Sequence, residues 1–252
     1  MLQQRRAAIP RKGYHAFRQT KALGGRSAGL TGGMDGRIPS REEAGRRLAR
    51  FLSAYTDRDD VVVLALPRGG VPIGSEIARA IGARLDVFFV RKVGVPLYPE
   101  LAMGAVASGG VRMLDENMIK EFGLSQAEIA EAVARSQGEL ERQEAAFRPG
   151  AAAVNLKGKT AILTDDGIAT GYTMLAAIAA AKQLGAARVV VATGVAPRST
   201  VKKLQAQVEE VICLLAPSDF RAVGLFYEDF SQVTDEEVKR LLGAGSSGQK
   251  TR

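Results

Sequence analysis

One cysteine and one histidine stand in the 252 residues, and tryptophan is absent. A lone thiol cannot form an internal disulfide. Cys213 sits in the run Val211-Ile-Cys-Leu-Leu215 and reads as core, so the expected compartment is the cytoplasm. A lone histidine, His15, in a polar, glycine-rich stretch excludes His-rich zinc sites and His-based triads. No apolar run approaches the roughly 20 residues that span a bilayer. Aromatics make up only 6% of a chain that is 46% apolar, which suits an alanine- and valine-rich α/β protein.

The net charge of +8 belongs to the ends of the chain. Residues 1–37 carry eight Lys or Arg against Asp35, and Lys250 and Arg252 close the other end, which leaves residues 38–242 near −1. Body charge therefore offers no nucleic-acid face. Residues 1–37, with scattered glycines and no apolar period, are expected to be a disordered basic tail. A transit peptide or a weak polyanion anchor remains open there. Residues 38–243 form the expected folded domain and 244–252 a second disordered tail.

The chain is organised around residues 160–174. The apolar run Thr160-Ala-Ile-Leu-Thr164 ends in Asp165-Asp166, then Gly167-Ile168-Ala169-Thr170-Gly171-Tyr172-Thr173 leads into a run of helix formers. A strand, an acidic pair, a phosphate-sized turn and a helix follow one another. Such a turn offers backbone N–H groups and a helix N-terminus to an anion. Carboxylates beside it repel bare phosphate, so the ligand must also carry sugar hydroxyls or a metal. No lysine precedes Thr173 as a Walker loop requires, and the turn lacks Gly-x-Gly-x-x-Gly. A plain strand–helix turn with a capping aspartate is the alternative.

Asp165-Asp166, three residues, Thr170-Gly171, one residue, Thr173 resembles the phosphoribosyl pyrophosphate (PRPP) motif of type I phosphoribosyltransferases. The resemblance implies that Asp165 and Asp166 hold the ribose 2′- and 3′-hydroxyls, while Gly167 to Thr173 cradle the 5′-phosphate. About a hundred residues earlier, the run Val61–Leu66 is followed by Pro67-Arg68-Gly69-Gly70. Two glycines permit close backbone approach, and Arg68 can grip a phosphate. This loop is similar to the family's pyrophosphate loop, in which a strained or cis peptide is expected over 68–70.

Leu85–Val90 reads as a second buried strand, with Arg91 and Lys92 at its carboxyl end facing the ligand crevice. Lys92 or Arg91 would meet the pyrophosphate, and the Gly/Pro-rich residues beyond would form a mobile lid. Residues 105–107 and 111–114 predict a hairpin, and 125–147 a long polar helix opening at Ser125. Helices are predicted over 41–55, 70–81, 198–206 and from Thr234 to Leu242, and strands over 188–195 and 210–215. Phe226, Tyr227 and Phe230 are candidates to stack on an acceptor, because the family builds a hood from chain-end segments.

The predicted fold is an α/β doubly wound domain with a mainly parallel sheet, a small C-terminal hood and a long helical insertion. The resemblance implies a Mg²⁺-dependent phosphoribosyltransferase, with Asp165, Asp166 and Lys92 closest to the chemistry. PRPP and a nitrogenous small-molecule acceptor are the expected partners. A homodimer is left open, no membrane is expected, and nucleic acid would be reached only through the tail. In members that act on 6-oxopurines an aspartate serves the purine at the position of Ala169, which argues against that reaction. A PRPP-sensing regulator without catalysis is the alternative.

Overall fold

The computed structural model describes residues 14–20, 28–34, 37–148 and 155–246, with backbone alone for 14–20, 28–34 and 244–246. In chain order the elements are β1 (Tyr14–Thr20), β2 (Ala28–Met34), α1 (Arg41–Phe51), β3 (Val61–Ala65), α2 (Gly70–Ile81), β4 (Arg84–Val87), β5 (Val90–Val95), β6 (Tyr98–Ala107), β7 (Val111–Leu114), α3 (Glu116–Glu121), α4 (Gln126–Phe147), β8 (Thr160–Gly167), α5 (Tyr172–Gln183), β9 (Arg188–Val195), α6 (Arg198–Gln205), β10 (Glu210–Leu215) and α7 (Asp235–Ser246). A seven-stranded sheet runs β2-β1-β10-β9-β8-β3-β4, and β5-β6-β7 form a separate antiparallel sheet. The five strands from β10 to β4 are parallel.

The continuous apolar runs become strands covered on both faces, as parallel sheets require. Along β3, Val61, Val63 and Ala65 enter one core with α1, α2 and α4, while Val62 and Leu64 enter the other with α5 and α6. From β3 the chain steps outward to β4; from β8 it steps the other way to β9 and β10. The order therefore reverses between β3 and β8. Ligands of open α/β sheets bind in the crevice at the carboxyl ends of such a pair.

Two elements depart from the sequence reading. The strand expected over 85–90 ends at Val87. Phe88 and Phe89 are both buried and still alternate between the two cores, as strand residues do, so the break lies in the backbone bonding. Phe88 N–H still bonds Ala65, but Phe89 N–H turns to Ser108 Oγ at 2.8 Å, and an antiparallel ladder starts at Val90 opposite Ala107. Arg91 and Lys92 thus open β5 rather than close a parallel strand. The residues expected as a lid are the arms of the β5–β6 hairpin, which continues into the predicted β6–β7 hairpin.

The second departure is in residues 1–37. β1 pairs antiparallel with β10, and β2 with β1, in a stretch expected to be a disordered tail. A lone β10 would present a row of unpaired backbone groups, and the hairpin covers it. Residues 1–13, 21–27 and 35–36 of that tail lie outside the described residues, as do 247–252 of the C-terminal one. α7 runs past the expected boundary to Ser246. Among the described residues no helix is long and apolar enough to cross a membrane.

Caps follow the local chemistry. Ser125 and Glu128 close a full capping box on α4. At α1 only half the box forms: Ser40 Oγ accepts from Glu43 N–H, but the Glu43 carboxylate binds Arg46 and Arg47 instead.

Candidate active site

Two loops that lie about a hundred residues apart in sequence touch at the β3–β8 switch point. A Cβ placed on Gly69 would stand 2.1 Å from Asp166 Oδ2, and one on Gly70 would stand 2.5 Å from the Thr164 carbonyl oxygen. Only glycine permits this approach. The Pro67–Arg68 peptide is cis, one bond ahead of the stretch where an unusual peptide was expected. Arg68 points across the cleft, where its Nε lies 2.7 Å from Asp235 at the start of α7.

The acidic pair ends β8. Asp165 accepts the Asp166 backbone N–H at 2.8 Å. Burial holds its carboxyl well above its usual pKa of 3.8, and the neighbouring Asp166 charge adds to the shift. Asp166 is answered by Arg41, the first residue of α1, whose Nε and Nη2 both lie 2.9 Å from Oδ2. Arg41 also donates to the Ser231 carbonyl at 2.7 Å and stands 4.0 Å over the Phe230 ring. Tyr227, fully buried, donates its hydroxyl to the Asp166 carbonyl at 2.6 Å. Burial and then the Asp166 charge push that phenol up.

The phosphate-sized turn follows. Gly167 packs where a Cβ would strike Val223. Ile168 is buried and gives its N–H to Val195, so neither its side chain nor its N–H faces a ligand, contrary to expectation. Its apolar side chain fills the α5–α6 core. Ala169 accepts from Thr200 Oγ1 at 2.7 Å, which ties the turn to α6. Gly171 adopts φ +87°, a left-handed position suited to glycine, and starts α5. Thr170, Tyr172 and Thr173 are exposed there, beside first-turn N–H groups that helix geometry leaves without partners.

A cleft of about 990 Å³ lies beside these parts; of the acid pair and the turn, Thr173 alone lines it, and Asp165, Asp166 and Thr170 do not. Arg41, Leu66 to Gly69 and Thr173 line it together with Phe88 to Arg91, α4, residues 230–233 and Asp235. Of the two cations expected there, Arg91 lines the cleft and pairs with Glu139 of α4. Lys92 is not among the lining residues: successive strand residues face opposite sides, and its ammonium bonds the Glu100 carbonyl at 3.1 Å. The aromatic candidates divide as well. Phe226 and Tyr227 are core, whereas Phe230 lines the cleft and is 38% exposed. Residues 38–39 zip to 226–229 through backbone hydrogen bonds, which places Arg41 beside Phe230.

Arg41 and the α4 wall were missed in the sequence. A signal for Arg41 exists: a cation at the first helical position runs against the helix dipole, and such local conflicts mark functional sites.

The raised carboxyl pKa of half-buried Asp165 gives a pH prediction. A folded-state pKa above the unfolded value means that the folded state holds the extra proton, so stability falls as pH rises from about 3.8 through the raised value. Asp165→Asn, which mimics the protonated acid, should raise the melting temperature at neutral pH and flatten this part of the profile. A variant less stable than the parent at neutral pH would contradict it.

A switch-point crevice, a glycine-opened loop and an acid pair followed by a turn thus meet in one α/β fold. Residues 36–230 match the phosphoribosyl transferase domain, and the chain belongs to that family, a class of pentosyltransferases. Two curated relatives from Mycobacterium tuberculosis, strains CDC 1551 and H37Rv, carry a provisional phosphoribosyl transferase name and are each 44% identical over 203 residues, 80% of this chain. The chain spans about half of their length, 45%. The solved structure of the protein TT1426 from Thermus thermophilus is 41% identical, covers 82% of this chain and 97% of its own, and superposes with a TM-score of 0.73.

Proposed function

We propose that the protein transfers the 5-phosphoribosyl group from PRPP to a nitrogen acceptor and releases pyrophosphate. The contact between Gly69 and Asp166 carries this reading, because it sets a pyrophosphate-sized loop against a ribose-sized acid pair. Thr170, Thr173 and the first turn of α5 would take the 5′-phosphate. Asp165 and Asp166 would take the ribose hydroxyls, with the Arg41 contact orienting Asp166. Arg68 would exchange Asp235 for pyrophosphate.

Among the described residues no group of three or more His, Cys, Asp or Glu could hold a metal. The donor set fits Mg²⁺ that arrives on PRPP, with Asp165 and Asp166 within reach of it, and the ion would neutralise pyrophosphate charge. As the C1–O bond to pyrophosphate breaks, positive charge grows on C1 and the two carboxyls face it. The acceptor nitrogen then bonds C1 and loses its proton to solvent. The protein supplies positioning and fixed charge without forming a covalent intermediate.

Steady pyrophosphate release from PRPP and Mg²⁺ with an added acceptor tests the reading. Asp165→Asn and Asp166→Asn should each weaken PRPP binding or turnover by about 1–3 kcal/mol through lost charged hydrogen bonds. Unchanged affinity and turnover in both would remove the ribose assignment. Asp235→Asn should act the other way. It frees Arg68 from a half-exposed ion pair of modest strength, so PRPP should bind more tightly, by about 0.2–1 kcal/mol. Weaker binding by calorimetry would mean that Asp235 serves the ligand rather than competes with it.

A further inference from the structure

Helix α4 is the cleft wall that the phosphate loops do not use. It contributes Glu139, Arg142, Gln143, Ala146 and Phe147. Its carboxyl end is fixed from below: Leu140 and Phe147 are buried, Arg148 pairs with buried Asp86 at 3.2 Å, and Glu144 binds Arg148 and Ser108. A side chain on this helix is therefore held in place along the cleft.

The cleft arginines are paired with acids, with one exception. Arg41 has Asp166, Arg68 has Asp235 and Arg91 has Glu139. Arg142 lines the same cleft, is exposed, and among the described residues has no ion-pair or hydrogen-bond partner. Apolar residues line the cleft with it: Phe88, Phe89 and Val90, and Phe89 stacks on Phe147 with centroids 5.8 Å apart. The volume is at the top of the about 300–1,000 Å³ usual for one ligand, which leaves room for a second molecule beside PRPP.

Resting on the PRPP reading, we propose that α4 selects the acceptor and that Arg142 receives its anionic group. The acceptor class is then an aromatic or heteroaromatic carboxylate. A ring suits the edge that the stacked Phe89–Phe147 pair offers to the cleft. The guanidinium fork matches a carboxylate in a bidentate way, and the Gln143 amide one residue on can add a donor. Glu139 does not oppose such a ligand, because Arg91 already neutralises it. A neutral base would leave Arg142 unpaired as the cleft loses water, which is unfavourable for a charge.

The experiment uses the full chain with PRPP and Mg²⁺. Orotate, nicotinate and anthranilate are compared with adenine, guanine and hypoxanthine, by pyrophosphate release and by calorimetry on the PRPP complex. At least one carboxylate should be preferred by tenfold or more. Arg142→Gln should raise the KM or Kd for that compound about tenfold and leave the KM for PRPP unchanged, while Arg142→Lys recovers part of the loss. Arg142 is an exposed helix residue, so the melting temperature should not move. Three results overturn the proposal: a neutral base is preferred, PRPP binds but no carboxylate binds or reacts, or the Arg142→Gln effect falls on PRPP. Failure of PRPP itself to bind would show in the first titration, as a failure of the donor reading, and the acceptor assignment would fall with it.

Discussion

Arg41→Ala should lower stability by about 3–5 kcal/mol and abolish tight PRPP binding. The Arg41 and Asp166 side chains are only 10% and 13% exposed, and removing one partner strands a buried charge. Asp165 lies next to it, so the orphaned carboxylate would also face a second acid. The same substitution loses the bond to Ser231 and the contact over Phe230, which join α1 to the segment that closes the cleft. A double-mutant cycle separates these parts. Arg41→Ala combined with Asp166→Asn should regain much of the lost stability in urea unfolding, because no charge is then left unpaired, yet it should not regain PRPP binding. A single variant that unfolds like the parent would show that the pair does not hold the site together.

Gly70→Ala is expected to damage the site through shape alone. The added methyl would meet the Thr164 carbonyl oxygen at 2.5 Å and the Asp165 Cα at 3.1 Å. Both are backbone of β8 in the middle of the sheet, so neither can swing aside. Overpacking of this kind destabilises by about 1–3 kcal/mol. The displacement falls directly on the acid pair, so PRPP affinity should drop at least tenfold, a loss of about 1.4 kcal/mol. An alanine variant with parental affinity would mean that the close approach of the two loops is incidental to binding.

Much of the fold was legible because its signals are local. Runs such as Val61–Leu66 and Glu210–Leu215 have no polar face, so they had to lie inside a covered sheet. Ser125 and Glu128 marked the start of α4 by spacing alone. The acid pair and the two glycine loops were legible because their residue types carry the chemistry themselves. What was not legible depends on contacts between distant segments. Nothing local in Leu85–Val90 shows that the Phe89 N–H leaves the parallel sheet for Ser108 and that an antiparallel ladder begins at Val90. Phe226, Tyr227 and Phe230 are alike as sequence; pairing of 226–229 with 38–39 decides that only Phe230 meets the cleft. The same pairing brings Arg41 to Asp166 across 125 positions. The strands at 14–20 and 28–34 were hidden by a glycine-rich, basic composition that speaks for a tail, while their pairing is set by the open edge of β10.

The most direct test of the central claim is calorimetric titration of the full chain with PRPP, with and without Mg²⁺. The full chain is needed because β1 and β2 cover the β10 edge. Two loops in contact at the β3–β8 switch point predict one site per chain, of micromolar strength with Mg²⁺ and much weaker without it. No heat of binding in either condition would contradict the assignment of the cleft to PRPP.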